Sequence, residues 1–294
     1  MAVAIKGSIT VAGQEIQVSN PDKLFWPDAG ITKLDYLQKL IVLAPYLIPY
    51  CENRYLTTIR YPDGIQGKAF YQKNTPPKVP PFVNSVEKSG VNYIILNSLS
   101  TLLWLGNLAA LEFHTSFEYV GGEEPAEWVL DIDPSEEDEP RLMEAIAIIG
   151  DTLHSLGIQS IPKTSGATGV QIIIPIQRGY TFEQLRRIGR FLGEYLTEKH
   201  ADLFTIERLI KNRGNKIYID YIQHAAGKSL SAPYTPRGRK GATVSTPLTW
   251  EEVKQNVDPK LFNLMTIENR LLKHGDLIAK VEKQNLSSII QELR

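Results

Sequence analysis

The chain has 294 residues, of which 43% are hydrophobic and 22% are charged, as is ordinary for a globular protein. Its 32 basic and 33 acidic residues leave a formal net charge of −1, which argues against a histone-like or tail-driven nucleic-acid binder. The single cysteine, Cys51, excludes an intramolecular disulfide and a cysteine-clustered zinc site. Neither a run of roughly 18 apolar residues nor a secretion signal is visible, so we expect a reducing, intracellular location and no membrane partner.

The near-zero net charge conceals a strong segregation along the chain. Residues 123–150 contain 10 acidic residues and 1 basic residue, whereas residues 151–246 contain 14 basic and 7 acidic residues. One interpretation is two solvated surfaces of opposite sign. The other is an acidic cation site next to a surface that attracts phosphates. Charge counts do not choose between them, so the residue patterns must.

Alternating apolar and polar residues predict a hairpin over residues 8–19. A capping pair then precedes a helix predicted over 33–48. The segment YLTTIRYPDG reads as a strand that ends in a turn, and the four prolines of 75–83 predict an extended connector. VNYIILN predicts a further strand, followed by a helix over 98–111 that runs into another strand.

The second half of the chain continues this alternation of element types. The predicted elements, in order, are a buried strand at 127–133, a helix at 138–156, a strand at GIQSIPKT, a loop at SGATG, a strand at VQIIIPI, a helix at 181–199, a strand at 216–222, a basic loop at 225–247 and closing helices. Because strands and helices interleave without a strict βαβ repeat, we expect an α/β or α+β fold with a mixed sheet.

Three carboxylates lie on predicted strands. Asp131 and Asp133 are two residues apart in VLDIDP, so both side chains face the same side of the strand, about 6–7 Å apart. Asp220 ends the apolar alternation of KIYID. Together they form an oxygen-rich set suited to Mg²⁺ or Mn²⁺, and two such ions serve phosphoryl transfer. The alternative is a strand end whose aspartates cap the next helix or face water, and spacing alone does not prove that Asp220 reaches the pair.

Several other residues carry chemistry suited to phosphates. The loop KTSGATG has two glycines and the hydroxyl of Ser165, which could approach an anion, although a plain hairpin turn is the simpler interpretation. Arg213 precedes Asp220, and Arg237 lies in the basic loop PYTPRGRKG. Guanidinium groups match phosphate oxygens, but an ordinary surface arginine is the usual case.

A histidine and two aromatic residues complete the candidates. His114, in LEFHTS, would donate to a phosphate rather than bind a metal, because the proposed metal ligands are all oxygen; most isolated histidines are structural or exposed. Phe70 and Tyr71 would point to opposite faces of a strand, with one packed inside and one free to stack on a base. From the pattern alone, two core-lining aromatics are the simpler explanation.

In their order and combination, these segments resemble the polymerase module of bacterial and archaeal non-homologous end-joining ligases, the ligase D polymerase domain of the archaeo-eukaryotic primase superfamily. The resemblance runs from about residue 19 to 250 and rests on NPDKLFWP with ITK after it, RYPDG, FYQKN, WLGNLAALEFH, VLDIDP, KTSGATG, IDYIQ and APYTPRGRKGATVSTPLTWEE. It implies an α/β primase-like core with an N-terminal extension packed on it. We expect one module over 1–294, with an N-terminal part to about 122, a metal and nucleotide core at about 123–250 and C-terminal helices at 251–294.

The resemblance also implies a function and a set of site residues. The function is template-directed nucleotidyl transfer that fills gaps and extends ends at double-strand breaks, with Mn²⁺ or Mg²⁺ and a preference for ribonucleotides over deoxyribonucleotides. Asp131, Asp133 and Asp220 match the metal-binding catalytic triad. The residues matching those that hold the nucleotide are His114, Ser165, Gly166, Arg213, Gln223 and Arg237. Lys23 and Lys33 match residues that grip a 5′-phosphate, and Phe70 and Tyr71 match a pair that stacks against the template.

Three positions depart from the family pattern. Thr168 and Gln171 stand where relatives often carry a loop Lys and a His, which puts nucleotide affinity or sugar preference in doubt but not the metal chemistry. Ile59 stands where some relatives carry a basic residue, so the grip on a 5′-phosphate relies more on Lys23 and Lys33.

By the same resemblance, the implied partners are gapped or broken DNA ends, a Ku-type protein and a DNA ligase, and the implied location is the prokaryotic nucleoid. Three other functions stay open at this point. They are a primase or gap-filling polymerase of base-excision repair, a metal-dependent phosphodiesterase, and a catalytically idle DNA-end-binding module.

Overall fold

The computed structural model describes residues 6–293 of the chain. The strands, in chain order, are β1 (Lys6–Val11), β2 (Gln14–Ser19), β3 (Leu24–Trp26), β4 (Ile31–Thr32), β5 (Arg54–Arg60), β6 (Phe70–Gln72), β7 (Asn84–Lys88), β8 (Val91–Ile95), β9 (Ala110–Tyr119), β10 (Glu127–Pro134), β11 (Ile161–Thr164), β12 (Val170–Pro175), β13 (Phe204–Thr205), β14 (Ile217–Asp220) and β15 (Ser229–Ser231). The α-helices are α1 (Lys33–Cys51), α2 (Leu99–Asn107), α3 (Leu142–Ser155), α4 (Phe182–Lys199), α5 (Trp250–Lys254), α6 (Ile267–His274) and α7 (Ser287–Glu292).

The chain divides into two compact units, each built from more than one segment. The first unit comprises residues 1–116, 229–245 and 260–273, and the second comprises residues 117–228, 246–259 and 274–294. The prediction of one primase-like module over 1–294, with a metal and nucleotide core at about 123–250, stays a prediction. Among residues 6–293, no helix is long and apolar enough to cross a membrane.

The first unit combines the packed helices α1 and α2 and most of α6 with a four-stranded sheet and three hairpins. The sheet has the strand order β15-β9-β5-β6, and the hairpins are β1/β2, β3/β4 and β7/β8. Helix α1 begins at a capping box, in which the Thr32 hydroxyl accepts from the Asp35 N–H and the Asp35 carboxylate accepts from the Thr32 N–H. Helix α2 packs closely on α1 because Gly106 has no side chain, and a Cβ atom there would lie 2.6 Å from Leu40 Cδ1.

The second unit is a mixed five-stranded sheet covered by helices, with the order β11-β12-β10-β14-β13. Strand β13 pairs in parallel with β14, and the other pairs are antiparallel. Helix α4 lies close to the sheet at Gly189, where a Cβ atom would be 3.1 Å from Tyr221 Cβ and 3.6 Å from Leu130 Cδ2. This sheet places the polar ends of β10 and β14 side by side and surrounds them with buried apolar residues.

Most predicted elements are confirmed, and the errors concern boundaries and short strands that the sequence did not predict. One of these is β15, which lies within the basic loop predicted over 225–247. The helix predicted over 98–111 ends at Asn107, because Ala109 adopts a left-handed φ of 62° and β9 begins at the next residue. The apolar run there fits a helix and a buried strand equally well. The helix predicted over 138–156 begins only at Leu142, since Pro140 lacks the N–H of a helix interior. The predicted mixed α/β sheet is confirmed.

Candidate active site

Two neighbouring strands of the second unit bring the three predicted carboxylates to one face of the sheet. Asp131 stands directly opposite Asp220 in the antiparallel pair β10/β14, and Asp133 lies two residues further along β10. Directly opposed residues of antiparallel strands point to the same side, as do residues i and i+2 of one strand. Asp131, Asp133 and Asp220 therefore share one face, which answers the question that spacing had left open.

The grouping has an electrostatic cost. Burial raises the pKa of Asp131, and the neighbouring charges of Asp133 and Asp220 raise it further, against the opposing effects of Gln171 and Lys163. Burial and the charge of Asp220 likewise raise the pKa of Asp133. Both shifts mean that the protein alone holds these carboxylates in an environment that disfavours their charged forms.

The chemistry of this face fits a divalent cation. The donors are all carboxylate oxygens, the ligands that Mg²⁺ and Mn²⁺ prefer. Within the described residues, Asp131 Oδ1 is buried and has no hydrogen-bond partner, a state that costs free energy unless a ligand is bound. The same part of the chain contains no group of three or more His, Cys, Asp or Glu side chains arranged to hold a metal ion. The fit therefore rests on charge and on the unpartnered oxygen, not on a preformed coordination geometry.

A row of polar residues continues from the carboxylates across the sheet. Gln171 of β12 is the cross-strand partner of Asp131 on one side and of Lys163 on the other. The Lys163 ammonium donates to Gln171 Oε1, and the Gln171 side chain is hydrogen-bonded to Asp131. Lys163 is only 1% exposed. Gln171 thus connects a buried cation to the acidic face.

The loop after β11 is a hairpin turn, in agreement with the simpler interpretation of KTSGATG. The Ser165 hydroxyl accepts from the N–H groups of Ala167 and Gly169, both at 3.1 Å. Gly166 adopts a φ of 68°, which favours glycine. A Cβ atom at Gly169 would lie 2.8 Å from Asp133 Oδ1, so a side chain at 169 would displace the carboxylate. The turn and the acidic face are therefore in direct contact.

Arg213 and Gln223 flank the end of β14. The Arg213 guanidinium lies 3.8 Å from the centre of the Tyr218 ring and donates to the backbone oxygens of Glu207 and Arg208. Its charge lowers the pKa of Asp133. The backbone N–H of Gln223 donates to Asp220 Oδ1 at 2.8 Å. Both residues thus lie in the same unit as the triad, and both act on one of its carboxylates.

His114 and Arg237 belong to the first unit, where both bind a residue that sequence reasoning missed. Glu112 Oε2 accepts from Arg237 Nε at 2.8 Å and lies 2.9 Å from His114 Nε2. Glu112 Oε1 accepts from the Tyr61 hydroxyl at 2.9 Å and from the Gly238 N–H at 3.0 Å. The one usable signal in the sequence was the Glu-x-His spacing on an apolar strand, which places both side chains on one face.

Lys23 and Lys33 also lie in the first unit, close enough for their charges to interact. Burial lowers the pKa of Lys33 to about 8, with a further contribution from the charge of Lys23. The Lys33 ammonium donates to the backbone oxygen of Asn107 at 3.0 Å and to the Ser19 hydroxyl at 3.3 Å. Lys23 forms an ion pair with Asp63 at 2.7 Å. Lys33 is therefore more buried than a surface phosphate-binding residue.

Phe70 and Tyr71 lie on the short edge strand β6, and the core-lining interpretation is wrong for both. Phe70 is 42% exposed and Tyr71 is 72% exposed. They stand opposite Arg60 and Ile59 of β5, respectively, and the Arg60 guanidinium lies 5.2 Å from the centre of the Phe70 ring. An open groove of about 540 Å³ follows, lined by residues 70–77. Exposed aromatics beside a cation suit stacking on a nucleobase.

Comparison with known proteins identifies the class and then the family. The polymerase domain of Mycobacterium tuberculosis ligase D in complex with DNA matches 90% of this chain and 97% of its own, with a TM-score of 0.81 and 27% identity. The fold is therefore that of a primase-like polymerase. A family model described as "LigD, primase-polymerase domain" matches residues 32–278. The chain belongs to this family, whose members are metal-dependent nucleotidyltransferases of the primase superfamily.

Two longer curated proteins extend the comparison. The bifunctional non-homologous end joining protein LigD of Bacillus subtilis is 40% identical over 286 residues, which cover 95% of this chain and 47% of that protein. The multifunctional protein LigD of Mycolicibacterium smegmatis is 29% identical over 279 residues, covering 92% of this chain and 36% of that protein. The chain thus spans about half the length of the first relative and about a third of the second.

The charge on Asp131 predicts a pH-dependent stability of the metal-free protein. A carboxyl whose pKa is raised on folding costs stability as the pH rises from its unfolded value through its native value. In the presence of a chelator, Asp131→Asn should therefore be more stable than the unchanged protein at pH 8, by about 2 kcal/mol. The gain should vanish near pH 4, as measured by urea denaturation.

A matched control and a metal titration complete this experiment. Glu123→Gln removes a charge from the same acidic segment at an exposed position and should leave the unfolding free energy nearly unchanged. Added Mn²⁺ should raise the melting temperature of the unchanged protein more than that of Asp131→Asn. An equal gain for Asp131→Asn at both pH values would contradict the electrostatic explanation.

Proposed function

We propose that this protein is a DNA-directed nucleotidyltransferase that fills gaps and extends ends during double-strand break repair by non-homologous end joining. The observation that carries the proposal is the acidic face of β10 and β14, with three carboxylates on one side of a primase-like sheet. The repair pathway comes from the two relatives compared above, since both are named as non-homologous end joining proteins.

Asp131, Asp133 and Asp220 would hold Mn²⁺ or Mg²⁺ through their carboxylate oxygens. When bound, a pair of such ions supplies the Lewis acidity that activates a primer 3′-hydroxyl and stabilises the departing pyrophosphate. The sheet contributes preorganisation, because the cross-strand register fixes Asp131 opposite Asp220 before any ligand arrives. The hydrogen bonds from Ile222 and Gln223 to Asp220 Oδ1 hold that side chain in place.

The nucleotide would be held by residues that offer cationic or N–H donors. They are His114, Ser165, Gly166, Arg213, Gln223 and Arg237. Arginine and histidine side chains make charge-assisted hydrogen bonds to phosphate oxygens, which are stronger than neutral ones. We also propose that ribonucleotides are preferred over deoxyribonucleotides. Gln171 bears on nucleotide affinity through its position between Lys163 and Asp131.

The DNA would be bound by the first unit's lysines and exposed aromatics. Lys23 and Lys33 are two cations near each other, and a phosphate would relieve their mutual repulsion. Phe70 and Tyr71 would stack against template bases beside the groove of residues 70–77. A Ku-type end-binding protein and a DNA ligase are proposed as partners that act in the same repair, because the similar proteins are named for non-homologous end joining.

Replacement of a triad carboxylate tests the polymerase proposal. Asp133→Ala should reduce nucleotide incorporation on a gapped duplex to background, because a cation ligand is lost, while DNA affinity stays nearly unchanged. The assay measures single-nucleotide extension with rNTP or dNTP, each with Mn²⁺ or Mg²⁺. Glu123→Gln, in the same acidic segment, serves as the control and should incorporate at the normal rate. Undiminished incorporation by Asp133→Ala would refute the assignment.

The choice of DNA substrate separates the related functions. Preferred synthesis on broken ends and short gaps with a 5′-phosphate supports end joining. Synthesis on an unprimed template would identify a primase instead, and efficient filling of gaps without activity on broken ends would favour excision repair. Strand loss without added nucleotide would identify a phosphodiesterase.

The lysine pair predicts a pH-dependent preference for a 5′-phosphate on the downstream strand. Because the pKa of Lys33 is lowered to about 8, its charge is present at pH 7 and lost as the pH rises to 9. The ratio of gap filling with and without the 5′-phosphate should fall over that range. Lys23→Ala and Lys33→Ala should each lower the ratio at pH 7, measured as relative kcat/KM.

An exposed lysine of the same unit provides the control. Lys78→Ala removes one positive charge from the proline-rich connector and should keep both the ratio and its pH dependence. A ratio that is unaffected by Lys23→Ala and Lys33→Ala would remove these residues from the 5′-phosphate site.

A further inference from the structure

The buried Glu112 carboxylate has four hydrogen-bond partners. Three separate segments converge on it: Tyr61 from the turn after β5, His114 from β9 itself, and Arg237 with Gly238 from the basic loop. Each carboxylate oxygen binds two partners, which uses the full acceptor capacity of the group. A carboxylate bound in this way has one orientation, and so have the side chains that it binds.

The burial of these side chains is graded. The Glu112 side chain is 4% exposed, whereas the side chains of His114 and Arg237 are 14% and 13% exposed. The carboxylate thus lies behind the two basic groups, which keep part of their surface accessible. A buried anion behind accessible cations is an arrangement that orients cations toward a ligand.

The charges of the cluster favour the same conclusion. Burial alone would raise the pKa of Glu112, but the hydrogen bond from His114, the charges of Arg237 and His114 and the Gly238 N–H outweigh it and lower the pKa to about 2. Glu112 is therefore ionised at neutral pH. One negative charge between two basic side chains reduces their mutual repulsion, yet leaves the cluster at a net charge of +1 when His114 is protonated.

The backbone around Arg237 is fixed as firmly as its side chain. The Arg237 N–H donates to the Thr243 oxygen at 2.8 Å, and the Arg237 oxygen accepts from the Trp26 indole at 3.2 Å. A Cβ atom at Gly238 would overlap the Tyr61 ring, so the loop packs directly on that ring. The position of Arg237 is therefore set by backbone contacts, and Glu112 sets the direction of its guanidinium.

We propose that Glu112 is a positioning residue of the nucleotide site, whose buried carboxylate holds His114 and Arg237 in one orientation so that both bind phosphate oxygens of the incoming nucleotide. This inference rests on the proposed function, since it takes His114 and Arg237 as groups that bind the triphosphate. Glu112 itself touches no substrate. It acts by reducing the conformational freedom that its two partners would otherwise lose on binding.

The experiment measures the binding of inorganic triphosphate and the kinetics of gap filling with rNTP. Glu112→Gln keeps the shape of the side chain but removes its negative charge, and its NH₂ group cannot accept from the two partners of the oxygen that it replaces, either Arg237 with His114 or Tyr61 with Gly238. We expect a rise of about 10-fold to 100-fold in the Kd of inorganic triphosphate and in the KM of rNTP, as for loss of a charge-assisted hydrogen bond. The affinity for DNA should change less than about 2-fold, because the lysine pair is intact.

A double-mutant cycle distinguishes positioning from a general structural role. If Glu112 acts through Arg237, then Glu112→Gln should add little to the KM increase of Arg237→Ala. Additive effects would overturn the proposal, as would an unchanged triphosphate Kd in folded Glu112→Gln. Glu112→Asp keeps the charge but retracts the carboxylate by one methylene. If Glu112→Gln does not fold, Glu112→Asp takes its place in the experiment and should raise the triphosphate Kd by a smaller factor.

The controls separate this inference from the proposed function. Glu118→Gln changes another buried carboxylate of β9, six residues further along, which accepts from Gly227, and should leave the triphosphate Kd unchanged. If the unchanged protein incorporates no nucleotide, the proposed function fails, while the triphosphate Kd still tests Glu112. If it incorporates nucleotide and Glu112→Gln binds triphosphate normally, only the positioning role fails.

Discussion

The antiparallel register of β10 and β14 is the constraint on which the acidic site depends. It sets Asp131 directly opposite Asp220, with Asp133 two residues along the same strand. Because the side-chain period of a strand is two residues, a shift of the register by one position would move Asp220 to the other face. The apolar residue Ile219, which is fully buried, opposes that shift, since the shift would place the Asp220 carboxylate on the apolar side that Ile219 occupies. Hydrophobic burial thus fixes the geometry of the charged residues.

The same register places the acidic residues within a buried polar row. Lys163, Gln171, Asp131 and Asp220 follow one another across four adjacent strands. Lys163 and Gln171 each lower the pKa of Asp131, but burial and the neighbouring carboxylates prevail. The protein therefore supplies only part of the compensation that a buried acidic cluster needs. A bound cation would supply the positive charge that is still missing. The incomplete compensation results from the positions of the carboxylates in this sheet.

The sequence predicted local features better than long-range ones. The spacing of Asp131 and Asp133 was sufficient to place them on one face, because that follows from strand geometry alone. Whether Asp220 joined them depended on strand pairing, which spacing does not encode. Glu112 was missed for a similar reason, since its partners Tyr61 and Gly238 lie 51 and 126 residues away in sequence. The pattern alone also did not predict that both Phe70 and Tyr71 are exposed, because an edge strand and a core strand can share one apolar pattern.

The two units differ in how far the repulsion between neighbouring like charges is relieved within the protein. In the first unit, the basic groups of His114 and Arg237 share a buried carboxylate, so their repulsion is largely relieved within the protein. In the second unit, Asp131 keeps a buried oxygen without a partner among the described residues, so the repulsion persists until a ligand arrives. The shared carboxylate of the first unit favours a fixed orientation of the two basic side chains. The uncompensated carboxylates of the second unit favour affinity for a cation. The net charge of −1 describes neither cluster, because it is a sum over the whole chain that includes a compensated basic cluster and an uncompensated acidic one.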